Sequence, residues 1–151
     1  TTAGYDHYEI SNFAKPYKCA VHNTNYWRSV PYLGLGPSAH SYQPTFRQWN
    51  INNNAKYIES ITKGVVPSER EQTNYADQFN EYIMTRLRTM WGLDLNELNN
   101  RFSSELNIVH KNIAKYIKSQ HVLLEDNHYR LTTKGKLLAD RIASDLFLVE
   151  E

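Results

Sequence analysis

The sequence predicts an α+β chain in two parts, and three observations carry that prediction. From Tyr5 to about Asn50, Gly, Pro and Asn punctuate apolar or aromatic runs of two to six residues, the texture of short strands and loops. From Asn74 onward apolar residues recur every three or four positions, the period of helices. Near the end the period drops to two on either side of an Asp-Asn pair, which marks a hairpin. The textures meet near Pro67, so residues 1–66 and 67–151 are expected to form separate domains.

Taken in order, Tyr8-Glu-Ile10 is expected as a strand, and so is Tyr32-Leu-Gly-Leu35, which runs into Gly36-Pro-Ser-Ala39. Phe46 to Ile51 gives a third, stopped by Asn52-Asn-Asn54, and Ala55 to Lys63 gives a helix closed by Gly64. Three strands with loops longer than themselves do not make a free-standing sheet, so this half reads as the end of something larger. Tyr75 to Met90 sets Phe79, Tyr82, Ile83, Leu87 and Met90 on one helical face, and Gly92 stops it. A second helix runs from Leu95 to Phe102 behind an Asp94 N-cap. A third, Asn107 to Gln120, buries Val109, Ile113 and Ile117. Val122-Leu-Leu-Glu125, a turn at Asp126-Asn127 and His128-Tyr-Arg-Leu131 form the hairpin. Thr132 or Thr133 caps a last helix through Phe147, with Leu138, Ile142 and Leu146 inward. Three helices, a hairpin and a helix is the order of a winged-helix-like module.

Composition bounds what such a chain can do. With 151 residues it buries about 68–70% of its unfolded surface, enough for a core without staples. A single cysteine excludes an internal disulfide framework and any four-thiolate metal site made by this chain alone, which suits a reducing compartment, with the cytoplasm as default. No apolar run approaches the length of a membrane span, and no leader or lipidation signal is read at either end. The chain opens Thr1-Thr2 without Met, the mark expected of a fragment or a processed product. Seventeen basic and sixteen acidic side chains leave a net charge of +1, no field to draw in polyanions. Winged helices often bind DNA, and Lys111, Lys115 and Lys118 do form a basic stripe on the third helix. Yet residues 79–151 hold ten basic and ten acidic side chains, whereas DNA binding rests on a positive excess that releases counterions. No nucleic-acid partner is expected; a solvated helix face explains the stripe, and the module reads as a lid or partner surface.

Two stretches carry candidate chemistry. Cys19-Ala-Val-His22-Asn23-Thr-Asn-Tyr26-Trp27 gathers a thiol, an imidazole, a phenol and an indole with no helix or strand period joining them. An imidazole can ligate haem iron while neighbouring aromatics stack on the porphyrin face. Alternatively Tyr26 and Trp27 plug a core and His22 satisfies a loop carbonyl; one Cys and one His are in any case too few for zinc. The second stretch, Gly34-Leu-Gly36-Pro-Ser38-Ala39-His40, follows an apolar run. Its glycines allow close backbone approach, and free N–H groups there could meet an anion or an adenine edge. The third Gly of a dinucleotide fingerprint is missing, and a tight turn with a structural His40 is the alternative.

Three blocks in this order, Tyr8-Glu-Ile-Ser-Asn-Phe-Ala-Lys-Pro16, His22-Asn-Thr-Asn-Tyr-Trp27 and Tyr32-Leu-Gly-Leu-Gly-Pro-Ser-Ala-His-Ser-Tyr42, resemble the oxygen-independent coproporphyrinogen III oxidase-like radical S-adenosylmethionine family, in particular its haem-chaperone branch. Leu87-Arg-Thr89, Trp91-Gly-Leu93 and Leu131-Thr-Thr-Lys-Gly135 resemble landmarks of that family's C-terminal domain. The likeness covers essentially the whole chain. It implies the last strands of a partial (β/α) barrel followed by a C-terminal winged-helix-like helical domain with a β-hairpin. The cysteine loop that holds the family's [4Fe-4S] cluster is absent, so the chain reads as a C-terminal portion with no radical chemistry of its own.

The resemblance also implies roles. The loop from Gly34 to His40, with Gly36, Ser38 and Ala39, would lie near the S-adenosylmethionine pocket. His22, Asn23, Tyr26 and Trp27 would bind haem, with His22 as axial ligand. Family members that oxidise coproporphyrinogen lack the second block and carry an apolar residue where His40 stands, which sides this sequence with the chaperones. The expected partners are haem or porphyrin and haem-requiring recipient proteins, with dimerisation through an exposed barrel edge left open. The alternatives are the porphyrinogen oxidase itself and a winged-helix nucleic-acid-binding module.

Overall fold

The computed structural model describes residues 3–149. In chain order it comprises β1 (Asp6–Glu9), β2 (Asn12–Ala14), α1 (Val21–Trp27), β3 (His40–Gln43), β4 (Phe46–Asn50), α2 (Asn54–Thr62) and β5 (Ser68–Gln72). There follow α3 (Tyr75–Leu87), β6 (Leu93–Asp94), α4 (Leu95–Phe102), a 3-10 turn, α5 (Leu106–Lys118), β7 (Val122–Glu125), β8 (His128–Leu131), α6 (Thr133–Lys136) and α7 (Ala139–Ser144). The mixed α+β class is as expected, and each described sheet is small and antiparallel. Packing gathers the chain into two compact units, residues 29–78 and residues 3–28 together with 79–149. The units are thus cut at positions other than Pro67, and the first hairpin and α1 go with the C-terminal helices.

In the larger unit the winged-helix order is complete. Phe79, Tyr82, Ile83 and Leu87 of α3, Leu98 of α4, Val109 and Ile113 of α5, Val122 of β7 and Ile142 of α7 form one buried cluster. Side chains of this size contribute about 1.5–3 kcal/mol each on burial, so this cluster outweighs the surface ion pairs around it. Asp94 caps α4 by accepting from the N–H groups of Asn96 and Glu97, as the sequence predicts. Asp126 and Asn127 both take positive φ, 48° and 62°, the turn whose twist matches a two-residue hairpin. A short strand the periodicity does not reveal, β6, pairs with β8 to give the sheet order β6-β8-β7. A Cβ on Gly92 would stand 2.4 Å from the Tyr129 carbonyl oxygen, so this residue admits β8 rather than merely stopping a helix.

Several expectations fail here for local reasons. Met90 lies beyond the end of α3 and is 39% exposed, and Ile117 is at the rim of α5. The last helix is broken: Leu138 leaves helical geometry between α6 and α7 and faces outward, while Ile142 and Leu146 are buried. Of the α5 lysines, Lys115 is bound to Asp145 at 2.5 Å.

The N-terminal hairpin docks on the same unit by backbone and side chain. Ile10 N–H donates to the Arg88 carbonyl and Met90 N–H to that of Tyr8. Glu9, only 1% exposed, accepts from Ser11 N–H, Asn12 Nδ2 and Arg88 Nη2, and Lys136 Nζ donates to the His7 carbonyl.

Residues 29–78 hold the sheet β3-β4-β5 and α2, which Asn53 caps. Their described core is thin: Tyr42 with the polar Ser41 and Asn50, while α2 and β5 bury nothing. The strand expected at 32–35 is a single bridge between Tyr32 and Tyr42, and Leu33 and Leu35 are exposed. Gly34 is pressed against the backbone of His40 and Gly36 turns at φ +106°, so the chain cannot continue extended. The strand is instead β3, after the loop.

Candidate functional site

The residues from Val21 to Trp27 form a helix, which corrects the reading that no period joins them. His22 and Tyr26, four apart, share its exposed face. Their rings meet edge-on at 4.7 Å between centroids, and His22 Nε2 lies 3.0 Å from Tyr26 Oη. At about 100° per residue, Asn23 and Trp27 make a second i,i+4 pair on the next face, with Trp27 about 140° from His22. That face turns inward: Asn23 Nδ2 donates to Tyr8 Oη at 3.2 Å, and Trp27 is half-buried with its ring 5.6 Å from the Arg88 guanidinium. Trp27 Nε1 is buried without a hydrogen-bond partner. The block therefore presents one imidazole and one phenol to solvent and anchors itself through the other pair. Cys19 precedes the helix as a half-buried free thiol.

At the C-terminal end of α1 lies a cavity of about 320 Å³ lined by Trp27, Arg28, Arg86, Trp91, Asp94 and Glu97, among others. Arg86 holds Glu97 through both carboxylate oxygens and donates to the Trp27 carbonyl at 2.6 Å, satisfying the last turn of α1. The Arg28 guanidinium carbon lies over the Trp91 ring, 4.8 Å from its centroid. Sequence reading marks Trp91 only as a landmark and passes over Arg28 and Arg86, whose partners are distant in the chain.

Burial alone would raise the Glu97 carboxyl, but hydrogen bonds and charges from Arg86 and Arg101 outweigh it and hold the group below the usual carboxylate range. A depressed carboxyl stabilises the fold fully above its unfolded value, about 4.3, and loses that stabilisation as pH falls through the folded value. Urea midpoints measured from pH 7 to pH 3 should drop below about pH 4.3, and Glu97→Gln should flatten part of the drop. Asp145, held low by Lys115 and Tyr116, keeps the remainder. An unchanged acid limb in Glu97→Gln would contradict this.

In the other unit, the 34–40 loop bends as its glycines require, but four of its N–H groups are already used. Gly34 N–H donates to Ser41 Oγ, Gly36 N–H to Tyr57 Oη, Ser38 N–H to the Ile51 carbonyl and Ala39 N–H to that of Gly36. Buried Asn50, which the sequence reading missed, donates to the Gly34 and Gly36 carbonyls. The N–H groups of Gly34, Gly36, Ser38 and Ala39 are therefore spent on the chain itself. A cavity of about 570 Å³ is lined by Ser38, His40, Trp49 and Glu69, among others. Among the described residues no group of three or more His, Cys, Asp and Glu side chains is placed to hold a metal ion, and no helix is long and apolar enough to cross a membrane.

Comparison with known proteins relates the winged-helix order behind the His-Asn-x-x-Tyr-Trp helix to the HemN and HemW proteins. Residues 75–138 match the family described as the HemN C-terminal domain. The heme chaperone HemW of Mycobacterium tuberculosis is 29% identical over 148 residues, spanning 97% of this chain and 36% of its own length. HemW of Haemophilus influenzae is 29% identical over 153 residues, 100% of this chain and 39% of its own. HemW of Escherichia coli is 28% identical over 153 residues, 99% of this chain and 40% of its own. The solved structure of coproporphyrinogen III oxidase (HemN) from Escherichia coli, a radical SAM enzyme, shares the fold with a TM-score of 0.66 at 18% identity, covering 97% of this chain and 38% of its own. The chain thus spans well under half the length of these relatives.

Proposed function

We propose that this chain is the haem-handling C-terminal portion of a haem chaperone, with haem as cargo and His22 as its axial ligand. The observation that carries the reading is the exposed imidazole of His22 paired with Tyr26 on α1. With Tyr26 Oη accepting from Nε2–H, the Nδ1 lone pair is left for iron, and the hydrogen bond fixes the ring. Asn23 and Trp27 hold the helix in place, Asn23 through Tyr8 and Trp27 through Arg86. The relatives named heme chaperone support the assignment along nearly the full chain.

In the whole protein, S-adenosylmethionine and a [4Fe-4S] cluster would supply radical chemistry. Ser38 and His40 would be among the residues lining a pocket for the former, beside the turn made by Gly34, Gly36 and Ala39. The cluster finds no ligand set in a chain with one cysteine. Residues 1–66 would derive from the barrel end and 67–151 from the C-terminal domain. The setting would be the cytoplasm and the recipients haem-requiring proteins, with a dimer as a further proposal.

Titration of haem into the chain, followed at the Soret band, tests the reading. Affinity should fall in His22→Ala by more than the roughly 10–100-fold typical of losing a ligand's supporting partner. Equal affinities and equal Soret shifts would count against it.

A further inference from the structure

We propose that the cavity at the C-terminal end of α1 is a carboxylate subsite in which Arg28, lying over the Trp91 ring, receives a propionate of the tetrapyrrole held at His22. This rests on the haem reading above and adds to it the recognition of the macrocycle's acidic edge.

The charges lining the cavity favour this ligand. Arg86 is spent on Glu97 and on the Trp27 carbonyl, and Glu97 is held also by Arg101. Asp94 is engaged as the α4 cap and lies 3.7 Å from His128. Among the described residues, Arg28 is the guanidinium of the cavity with no carboxylate in ion-pair range. Contact with an aromatic face leaves a guanidinium with N–H donors that can still meet an acid. Those donors match a carboxylate two by two. One unspent cation beside two carboxylates suits a singly charged acid and disfavours a phosphate dianion. Arg28 follows α1 six residues after His22, about 9 Å along the helix axis and about 120° round it, so the macrocycle would have to lean over the end of α1 for a propionate arm to reach it.

Soret titration of the whole chain with haem and with haem dimethyl ester tests the proposal. Wild type should bind the diacid at least about tenfold more tightly than the diester, the scale of a hydrogen bond to a charged group. Arg28→Gln should lose about that factor for haem, leave the diester unchanged and keep the Soret maximum. Arg28 is exposed, so the substitution spares the core, and the ester arm needs no variant at all. Equal wild-type affinity for the two ligands, or a preference that survives in Arg28→Gln, would overturn it. A spectrum indifferent to His22→Ala would instead strike the axial-ligand reading, while an acid preference lost in Arg28→Gln would still stand. Failure of wild type to bind either ligand would sink both.

Discussion

Gly135→Ala is expected to cost about 3 kcal/mol or more and to bring the urea midpoint of the chain down sharply. A Cβ at this position would stand 2.9 Å from the carbonyl carbon of His121 and closer still to its oxygen. Neither side can yield cheaply, because both are backbone. The His121 carbonyl accepts from Thr132 N–H, and His121 N–H donates to the Tyr116 carbonyl, which fixes the entry into β7. Gly135 N–H is itself the donor to the Thr132 cap of α6. Adding one methyl must therefore separate α6 from the start of the wing, and overpacking against rigid backbone lies at the upper end of such costs. A midpoint indistinguishable from wild type would refute the close approach.

Arg88→Ala is expected to cost about 3–5 kcal/mol, since it leaves a carboxylate buried without its cation. Arg88 bridges two acids, and burial decides which matters. Glu9 is 1% exposed, whereas the Asp140 side chain is 77% exposed. A surface pair is worth about 0–1 kcal/mol, so Asp140→Ala should be nearly silent. Pairing Arg88→Ala with Glu9→Gln removes the stranded charge and should restore part of the loss, giving a non-additive cycle in denaturant unfolding. If Arg88→Ala costs no more than Asp140→Ala, Glu9 is not what holds the first hairpin to the helices.

Much of the second half was legible because local rules fix its ends. α4 begins where Asp94 can cap it, and β7 and β8 end where Asp126 and Asn127 accept left-handed geometry. The features that escaped depend on contacts between distant segments or on segments too short to show a period. β6 has two residues and exists only because β8 lies beside it. β5 is polar and wholly exposed, so no alternation betrays it. The break at Leu138 accompanies the packing of Gly135 on His121, which no pattern in residues 133–147 encodes.

The site divides the same way. The spacing of four between His22 and Tyr26 was visible, but α1 has seven residues and no side-chain cap, so its helix was not. Once the helix is known, 100° per residue separates the solvent pair from the anchoring pair. The Arg28–Trp91 contact joins residues far apart in sequence and required the fold.

Iron–nitrogen hyperfine coupling tests most directly the proposed coordination of haem iron by the His22 imidazole. In haem-loaded chain carrying ¹⁵N-histidine, pulsed paramagnetic resonance should show a labelled imidazole nitrogen on the iron, and His22→Ala should abolish that signal. The same coupling in His22→Ala, or none in the wild type, would contradict the account.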